Sequence, residues 1–460
     1  MDAESRLDRL RVLLTAPVDA AGIAAFRVLF GLIATISAIR FLAYGWVDDF
    51  FVKPRFFFKY WGFEWVVVPP APYVHALFVA LAVLGVVVAL GLFYRVAIVL
   101  LFVGFAYVQL MDKTNYLNHY VLVSLLTLTM SFMPLGRAYG LDGIRRGARL
   151  SHVPAYCLYL LRFQVGVVYF FAGMAKFESD WLLHAQPLDI WLSARTSLPI
   201  VGALFEYRFI AYVFSWAGFL FDTTIVAFLL WGRTRKYAYA VVLFFHAMTS
   251  LLFPIGMFPV IMVTAALIFF PPEWPRSVLR LPAVPAPAFR VPSRRVFAGW
   301  LAVGLTFAAL QIAFPLRRHL YGGNVLWHEQ GMRFSWRVMV REKNASITYY
   351  VEDPKTGRTW YVRPRDYLDA RQEREFATQP DMILELAHAI ARDHRARGFG
   401  DVRVRVEALV SLNGRRAAPL IDPNVDLTRI EDGVGKAPWI LPAPASDPPH
   451  LSRLPRLQSG

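Results

Sequence analysis

Apolar runs separated by short polar loops fill residues 21–314, and a mixed, alternating pattern follows them. A helix crossing the bilayer core needs roughly 20 predominantly apolar residues. Nine segments approach that length: 21–41, 72–93, 96–111, 119–135, 154–175, 209–231, 237–252, 256–270 and 296–314. Several are short, and the seventh and eighth are also compatible with one broken hairpin around "LFPIGMF" (252–258). No internal repeat is visible, which argues against a transporter built from repeated halves.

The period changes after residue 315. "ASITYYVEDPKTGRTWYVRP" predicts two strands around a turn containing Lys-Thr-Gly. "PDMILELAHAIARDHRARGFG" has helical spacing and ends in glycine, and "DVRVRVEALVSLNG" alternates as a half-buried strand with a turn at Asn413-Gly414. The pattern predicts a polytopic α-helical membrane protein of about nine spans, with a C-terminal extracytoplasmic α+β, β-rich domain. Its expected divisions are a cytoplasmic segment (1–20), a membrane domain (21–314), the outer domain (315–440) and a proline-rich tail (441–460).

Composition agrees. The chain has 460 residues, 57% of them hydrophobic, and a mean hydropathy of +0.42, which excludes an ordinary soluble protein. The net charge of +16 would suggest nucleic acid in a soluble chain, but short loops between apolar runs carry much of it, so topology explains it better. With the N-terminus inside, the inner loops hold sixteen basic residues and the outer loops seven. That asymmetry places the N-terminus in the cytoplasm, and an odd number of spans places the C-terminal domain outside. The first residues lack the short apolar core and small-residue cleavage site of a signal peptide. Cys157 is the only cysteine, so no intramolecular disulfide is possible and the compartment cannot be read from cysteine usage.

Three polar motifs converge on the outer face: "LMDKTNYLNHY" (110–120), Lys176 at the end of "VVYFFAGMAKFESDW" (167–181), and "FFHAMTSLLFPIGMF" (244–258). Ionisable groups at membrane depth are expensive, so each has a functional reading. Each has a plainer reading too. Lys113 and Lys176 could snorkel to the headgroups, His119 could be a satisfied structural histidine, and His246 could pack helices. Arg162 should pair with carbonyls or a carboxylate between helices, Asp222 being one candidate. No His/Cys/Asp/Glu cluster has metal-ligand spacing, and no phosphate loop or nucleophile elbow is present. What remains is amine, imidazole, amide and aromatic groups at an apolar boundary, which suits a lipid-soluble substrate and proton abstraction.

These residues resemble the vitamin K-dependent γ-glutamyl carboxylase family and its microbial relatives in the horizontally transferred transmembrane domain (HTTM) group. Asp112-Lys113-Thr114 with Asn118-His119 are similar to the family's DKTxxxNH element. Tyr169, Phe170, Ala172, Gly173, Lys176, Asp180 and Trp181 match its YFxAGxxKxxxDW element. Residues 245–258 and 272–276 match two more elements, and "FSWRVMV" (334–340) and "IDPNVDL" (421–427) resemble segments of its outer domain.

The resemblance implies an enzyme that couples oxidation of reduced vitamin K, as phylloquinol or menaquinol, by O2 to the epoxide with addition of CO2 to a protein glutamate. The implied catalytic residues are Lys176, as the base that deprotonates the quinol, and His119, as a donor to a developing negative oxygen. An amine serves as a base near neutral pH when burial disfavours its charged form, and small neighbours would leave room for a flat ring. Asn118, Tyr169, Phe258 and His246 are the implied quinone-binding residues, no metal is implied, and Lys113 is expected to pair with Asp112. The implied partners are a glutamate-containing protein or peptide, the lipid-soluble quinol and membrane lipids, with no nucleic acid.

Three features depart from the family: the chain stops soon after "IDPNVDL", the family's disulfide cannot form, and Met332 and Ala175 stand where the family carries tyrosine and lysine. They keep two alternatives open: a quinol epoxidase that does not carboxylate protein, and a non-catalytic quinone- or lipid-binding membrane protein. The absence of a long lumenal domain and of cysteine pairs favours a bacterial inner membrane over an endoplasmic reticulum.

Overall fold

The computed structural model describes residues 3–289 and 291–452. Residues 1–2, Arg290 and 453–460, which hold parts of the expected N-terminal segment, inner-loop charge and tail, lie outside the described residues.

Helix α1 (Ala3–Thr15) precedes α2 (Ala21–Ala43), α3 (Ala71–Leu90), α4 (Tyr94–Leu110) and α5 (Asn118–Ser131). Then come α6 (Ala155–Ala175), α7 (Arg208–Leu230), α8 (Arg235–Leu252), α9 (Phe258–Ala266) and α10 (Arg294–Leu316). Each of the nine apolar segments carries one of α2–α10. Among the described residues, five helices are long and apolar enough to cross a membrane: α2, α3, α6, α7 and α10 with its continuation to Leu320. The others are shorter or, as in the 18-residue α8 with Arg235, Lys236 and His246, less apolar. The 14-residue α5 is about 21 Å long at ~1.5 Å per residue, less than a bilayer core of ~30 Å. At the other break, Pro254 and left-handed Gly256 (φ 60°) end α8 and turn the chain into α9.

Small residues set the closest helix contacts. A Cβ on Gly31 would lie 2.6 Å from the Gly85 carbonyl oxygen, and one on Gly173 would lie 2.6 Å from Thr223 Cγ2. Gly173 therefore lets α6 and α7 touch; the space expected there for a flat ring is filled by α7. Arg162 donates to the carbonyls of Ile268 (2.9 Å), Phe269 (3.3 Å) and Phe270 (3.0 Å), not to Asp222. These carbonyls end a short helical turn and have no partner within it.

Strands β1 (Pro17–Asp19) and β2 (His152–Pro154) pair antiparallel beneath the helices. The C-terminal sheet contains β3 (Lys343–Glu352), β4 (Thr359–Val362), β5 (Arg403–Leu412) and β6 (Ala418–Pro419), antiparallel in the order β4-β3-β5-β6. Val404, Val406, Ala408, Val410 and Leu412 are buried on alternate positions of β5, so one face of the strand meets the core. Against it packs α11 (Pro380–Ala396), whose Met382, Ile383, Leu386, Ala387 and Ile390 are buried at helical spacing. Asn413 and Gly414 both have positive φ after β5. Residues 441–452 carry no helix or strand.

Candidate active site

The 110–120 motif mainly grips the outer domain. Asp112 accepts from the backbone of Thr114 (3.0 Å) and Phe58 (3.3 Å) and from Gln372 (3.0 Å). With Asp112 so occupied, Lys113 does not pair with it: Nζ lies 3.1 Å from Asp381 and 3.0 Å from Glu385, both on α11. Burial alone would lower the Lys113 pKa, but the two carboxylates outweigh burial and raise it above the ordinary lysine value. Arg371 adds bonds to Thr114 (3.1 Å) and Asn115 (2.6 Å). Asn118 is held by the same junction, accepting from Tyr116 Oη (3.0 Å) and donating to the Arg337 carbonyl (3.3 Å).

The residues after Lys176 also face outward. Glu178 takes Arg318 (3.0 Å) and Arg337 (3.2 Å), while Asp180 receives Arg415 (2.6 Å) and Asn413 (2.7 Å). Burial, with Arg318 alongside, pushes the Arg337 guanidinium down to about 10.

Lys176 alone turns inward. It caps α6, 6% exposed, with Nζ 3.2 Å from the Ala172 carbonyl and 2.6 Å from Asp222 Oδ2 on α7. Trp181 roofs the amine at 5.3 Å and is fixed by its indole N–H to the Ser215 carbonyl (2.8 Å). The pair opens into a recess with a cavity volume of about 100 Å³. Tyr169, His246, Thr249 and Phe258 share that recess, with Trp191 and Phe253 among its aromatic walls. Tyr169 Oη and His246 Nε2 are 3.2 Å apart, and buried His246 Nδ1 has no partner among the described residues.

The outer domain closes this recess. In residues 334–340, Phe334, Trp336 and Met339 all hold positive φ (59°, 58° and 51°), a conformation costly for bulky residues and found where structure over-determines it. The strained path buries Trp336 in the core of the helices and sets Val338 and Met339 on the recess wall.

Four of the six residues singled out from the sequence therefore meet in one recess: Lys176, Tyr169, His246 and Phe258. His119 lines a neighbouring apolar chamber, its ring 5.9 Å from that of Phe258, which in turn lies 6.1 Å from His246. Asn118 faces the domain junction. Sequence reasoning missed Asp222 as the partner of Lys176, although a carboxylate inside an apolar span was a signal. It also missed Val338 and Met339, which no local pattern marks.

An apolar helical bundle with a buried amine–carboxylate pair in a recess, roofed by an α+β domain, defines a membrane protein with a polar site at a helix end. Residues 15–274 match the HTTM domain, and residues 298–446 match the lumenal domain of vitamin K-dependent gamma-carboxylase. The chain belongs to the vitamin K-dependent gamma-carboxylase family. It is thus a membrane protein with a non-cytosolic C-terminal domain, and its family uses vitamin K, O2, CO2 and a glutamate-containing protein. No solved structure matches the chain.

Proposed function

We propose that this chain is a quinol-dependent γ-glutamyl carboxylase in which Lys176 and Asp222 together take the proton from a naphthoquinol hydroxyl. The observation that carries this reading is the 2.6 Å contact between Lys176 Nζ and Asp222 Oδ2 inside an aromatic recess at the end of a membrane helix. Amine and carboxylate are the basic groups that face the recess, and the Ala172 carbonyl orients the nitrogen.

The recess suits a flat ring with an oxygen at each end. Aromatic side chains supply its walls, the Lys176–Asp222 pair stands on one side, and the unpartnered His246 Nδ1 is free to meet a second oxygen. Bound there, the quinol supplies through its oxidation by O2 the basicity that removes the weakly acidic γ-hydrogen of glutamate. Tyr169 holds His246 in orientation, Phe258 packs against the ring, and Val338 and Met339 exclude water. His119 acts from across Phe258 as a donor at the ring's far edge.

The excess of basic residues in the inner loops supports nine crossings, a cytoplasmic N-terminus and an outer domain on the opposite side, as in a bacterial inner membrane. On this reading residues 1–20 are cytoplasmic, 21–314 form the membrane domain, 315–440 the outer domain and 441–460 a tail.

The test supplies purified protein with reduced vitamin K, labelled bicarbonate and a glutamate peptide. Labelled peptide and epoxide should both form, and both should vanish in Lys176→Ala. Epoxide without labelled peptide would favour a quinol epoxidase, and neither product from the wild type would leave a quinone- or lipid-binding protein.

A further inference from the structure

The roof over Lys176 is held from the outer domain. On α7, Ser215, Gly218 and Asp222 stand at helical spacing on one face. Asp222 takes the amine, and Ser215 exchanges two hydrogen bonds with Trp181. A Cβ on Gly218 would lie 3.6 Å from Trp181 Cζ2 and 3.8 Å from Lys176 Cε, so indole and lysine stem pack side by side on the same turn. An indole face above an ammonium stabilises its charge, and the bulk of the ring keeps water from the nitrogen. A shift of residue 181 is therefore felt at the amine.

The residue before Trp181 is gripped by the turn after β5. Asp180 is 6% exposed. Arg415 donates to it through both terminal nitrogens, Nη1 to Oδ2 at 2.6 Å and Nη2 to Oδ1 at 2.7 Å, and Asn413 Nδ2 donates to Oδ2 at 2.7 Å. A forked guanidinium on a carboxylate fixes angle as well as distance. Burial raises the Asp180 carboxyl, but Arg415 and Asn413 outweigh it and hold its pKa below the usual aspartate value. The turn is itself pinned. Asn413 is buried, its N–H donates to the Glu342 carbonyl (2.8 Å), and its Oδ1 accepts the Glu342 N–H (2.9 Å). Glu342 in turn accepts the indole N–H of Trp191, another wall of the recess, at 2.6 Å. Both tryptophans that line the recess are thus tied to one end of the β3–β5 pair, Trp181 through Asp180 and Trp191 directly.

We propose that Arg415 is a positioning residue for the Lys176 site, holding the Trp181 ring over the amine through Asp180. The effect on rate rests on the quinol reading of the recess, whereas the placement of the ring rests on geometry alone. Two observations set this contact apart from an ordinary ion pair between domains. The Arg415 side chain is 9% exposed, and its Nε donates at 2.6 Å to the Ser446 carbonyl, so the fork is held on both sides. Its carboxylate partner is also the chain neighbour of the residue over the amine. Glu178, which takes Arg318 and Arg337, is flanked by Phe177 and Ser179, neither of which lines the recess.

The experiment labels the full chain with fluorotryptophan and follows Trp181 by fluorine NMR, with Trp181→Phe and Trp360→Phe assigning two signals. Arg415→Met should displace the Trp181 signal and leave that of Trp360, on β4, in place. A misplacement of about 1 Å costs on the order of 10²-fold in rate, so epoxide formation per folded molecule should fall by at least about tenfold. Arg415→Lys keeps the charge without the fork; it should recover part of the rate and put the Trp181 signal between the other two. A purely structural role would lower thermal stability and leave both the signal and the rate per folded molecule at wild-type values, which would overturn the proposal. Because a stranded Asp180 carboxylate can unfold the chain, Asp180→Asn/Arg415→Met repeats both readings with no buried charge. It should show the same displacement and loss, and an unmoved ring there also overturns the proposal. A wild type that forms no epoxide removes the quinol reading, and the Trp181 signal then decides the positioning by itself.

Discussion

Lys176 at the end of α6 and Asp222 within α7 form a buried pair, Nζ to Oδ2 2.6 Å, with the residues 6% and 7% exposed. Removing one member of a buried pair strands the other charge and costs about 3–5 kcal/mol, whereas replacing both with apolar groups is often neutral. Asp222→Ala should therefore lower the thermal stability of the purified protein markedly. The double variant Lys176→Met/Asp222→Leu should recover it and still form no epoxide. Recovered stability without activity would separate the chemistry of the pair from its packing.

Asp222→Asn keeps the shape of the side chain and removes its ability to take a proton. Loss of a positioned proton acceptor costs about 10²–10⁴-fold in rate, so epoxide formation should fall by at least about 10²-fold. A variant with wild-type rates would assign Asp222 to structure alone.

Gly173 is predicted to tolerate no side chain. A Cβ there meets Thr223 Cγ2 at 2.6 Å and the Thr223 backbone nitrogen at 3.0 Å. Overpacking of this kind costs about 1–3 kcal/mol, so Gly173→Ala should lower the melting temperature. Adding Thr223→Ala should restore part of the loss, since it removes the closest contact but not the backbone one.

Lys343 is buried in the outer domain, donating to the carbonyls of Trp327 and Thr378 (both 2.6 Å) and to Glu329 (3.1 Å). Burial, opposed by Glu329, pushes its amine down to about 8 from an ordinary value of 10.5. Between those values the unfolded chain binds more protons than the folded one, so stability should rise with pH across that window and level off below it. Hydrogen exchange of β3 in the full chain, followed from pH 7 to 10 and corrected for intrinsic rates, would show this. Lys343→Met should abolish the dependence and cost about 1–3 kcal/mol, because the buried carbonyls of Trp327 and Thr378 lose their donor while Glu329 keeps Arg341 at 2.9 Å.

Lys113 is predicted to hold the two domains together rather than to move protons. Burial raises the Asp381 carboxyl, but Arg333 and Lys113 outweigh it and keep its pKa well below the usual aspartate range. Its contribution is complete above about pH 4, the usual aspartate value, and should fade as pH falls through its lower folded value. Lys113→Met should speed hydrogen exchange in residues 371–385 and leave the rate per correctly folded molecule within about threefold of wild type. A collapse of that rate in protein with normal exchange would move Lys113 into the chemistry.

Much of the architecture was legible along the chain. Long apolar runs become helices because, in a bilayer, every backbone N–H and C=O must be satisfied within the segment. Alternation in "RVRVEALVSL" becomes β5, and the spacing in "MILELAHAI" becomes the buried face of α11. The motifs that carry the family resemblance were equally plain, being short and local.

Partnership was not legible. Asp222 stands 46 residues from Lys176, and only the rotation and crossing of α6 against α7, set by Gly173 and Thr223, turns them towards each other. The same holds for Lys113, which bypasses adjacent Asp112 for carboxylates on α11, and for His119, which one helix wall directs into a second chamber. Local pattern decides which residues form a helix and which face is apolar. Which helix that face meets is decided by close packing over the whole molecule, and the site exists only where those contacts coincide.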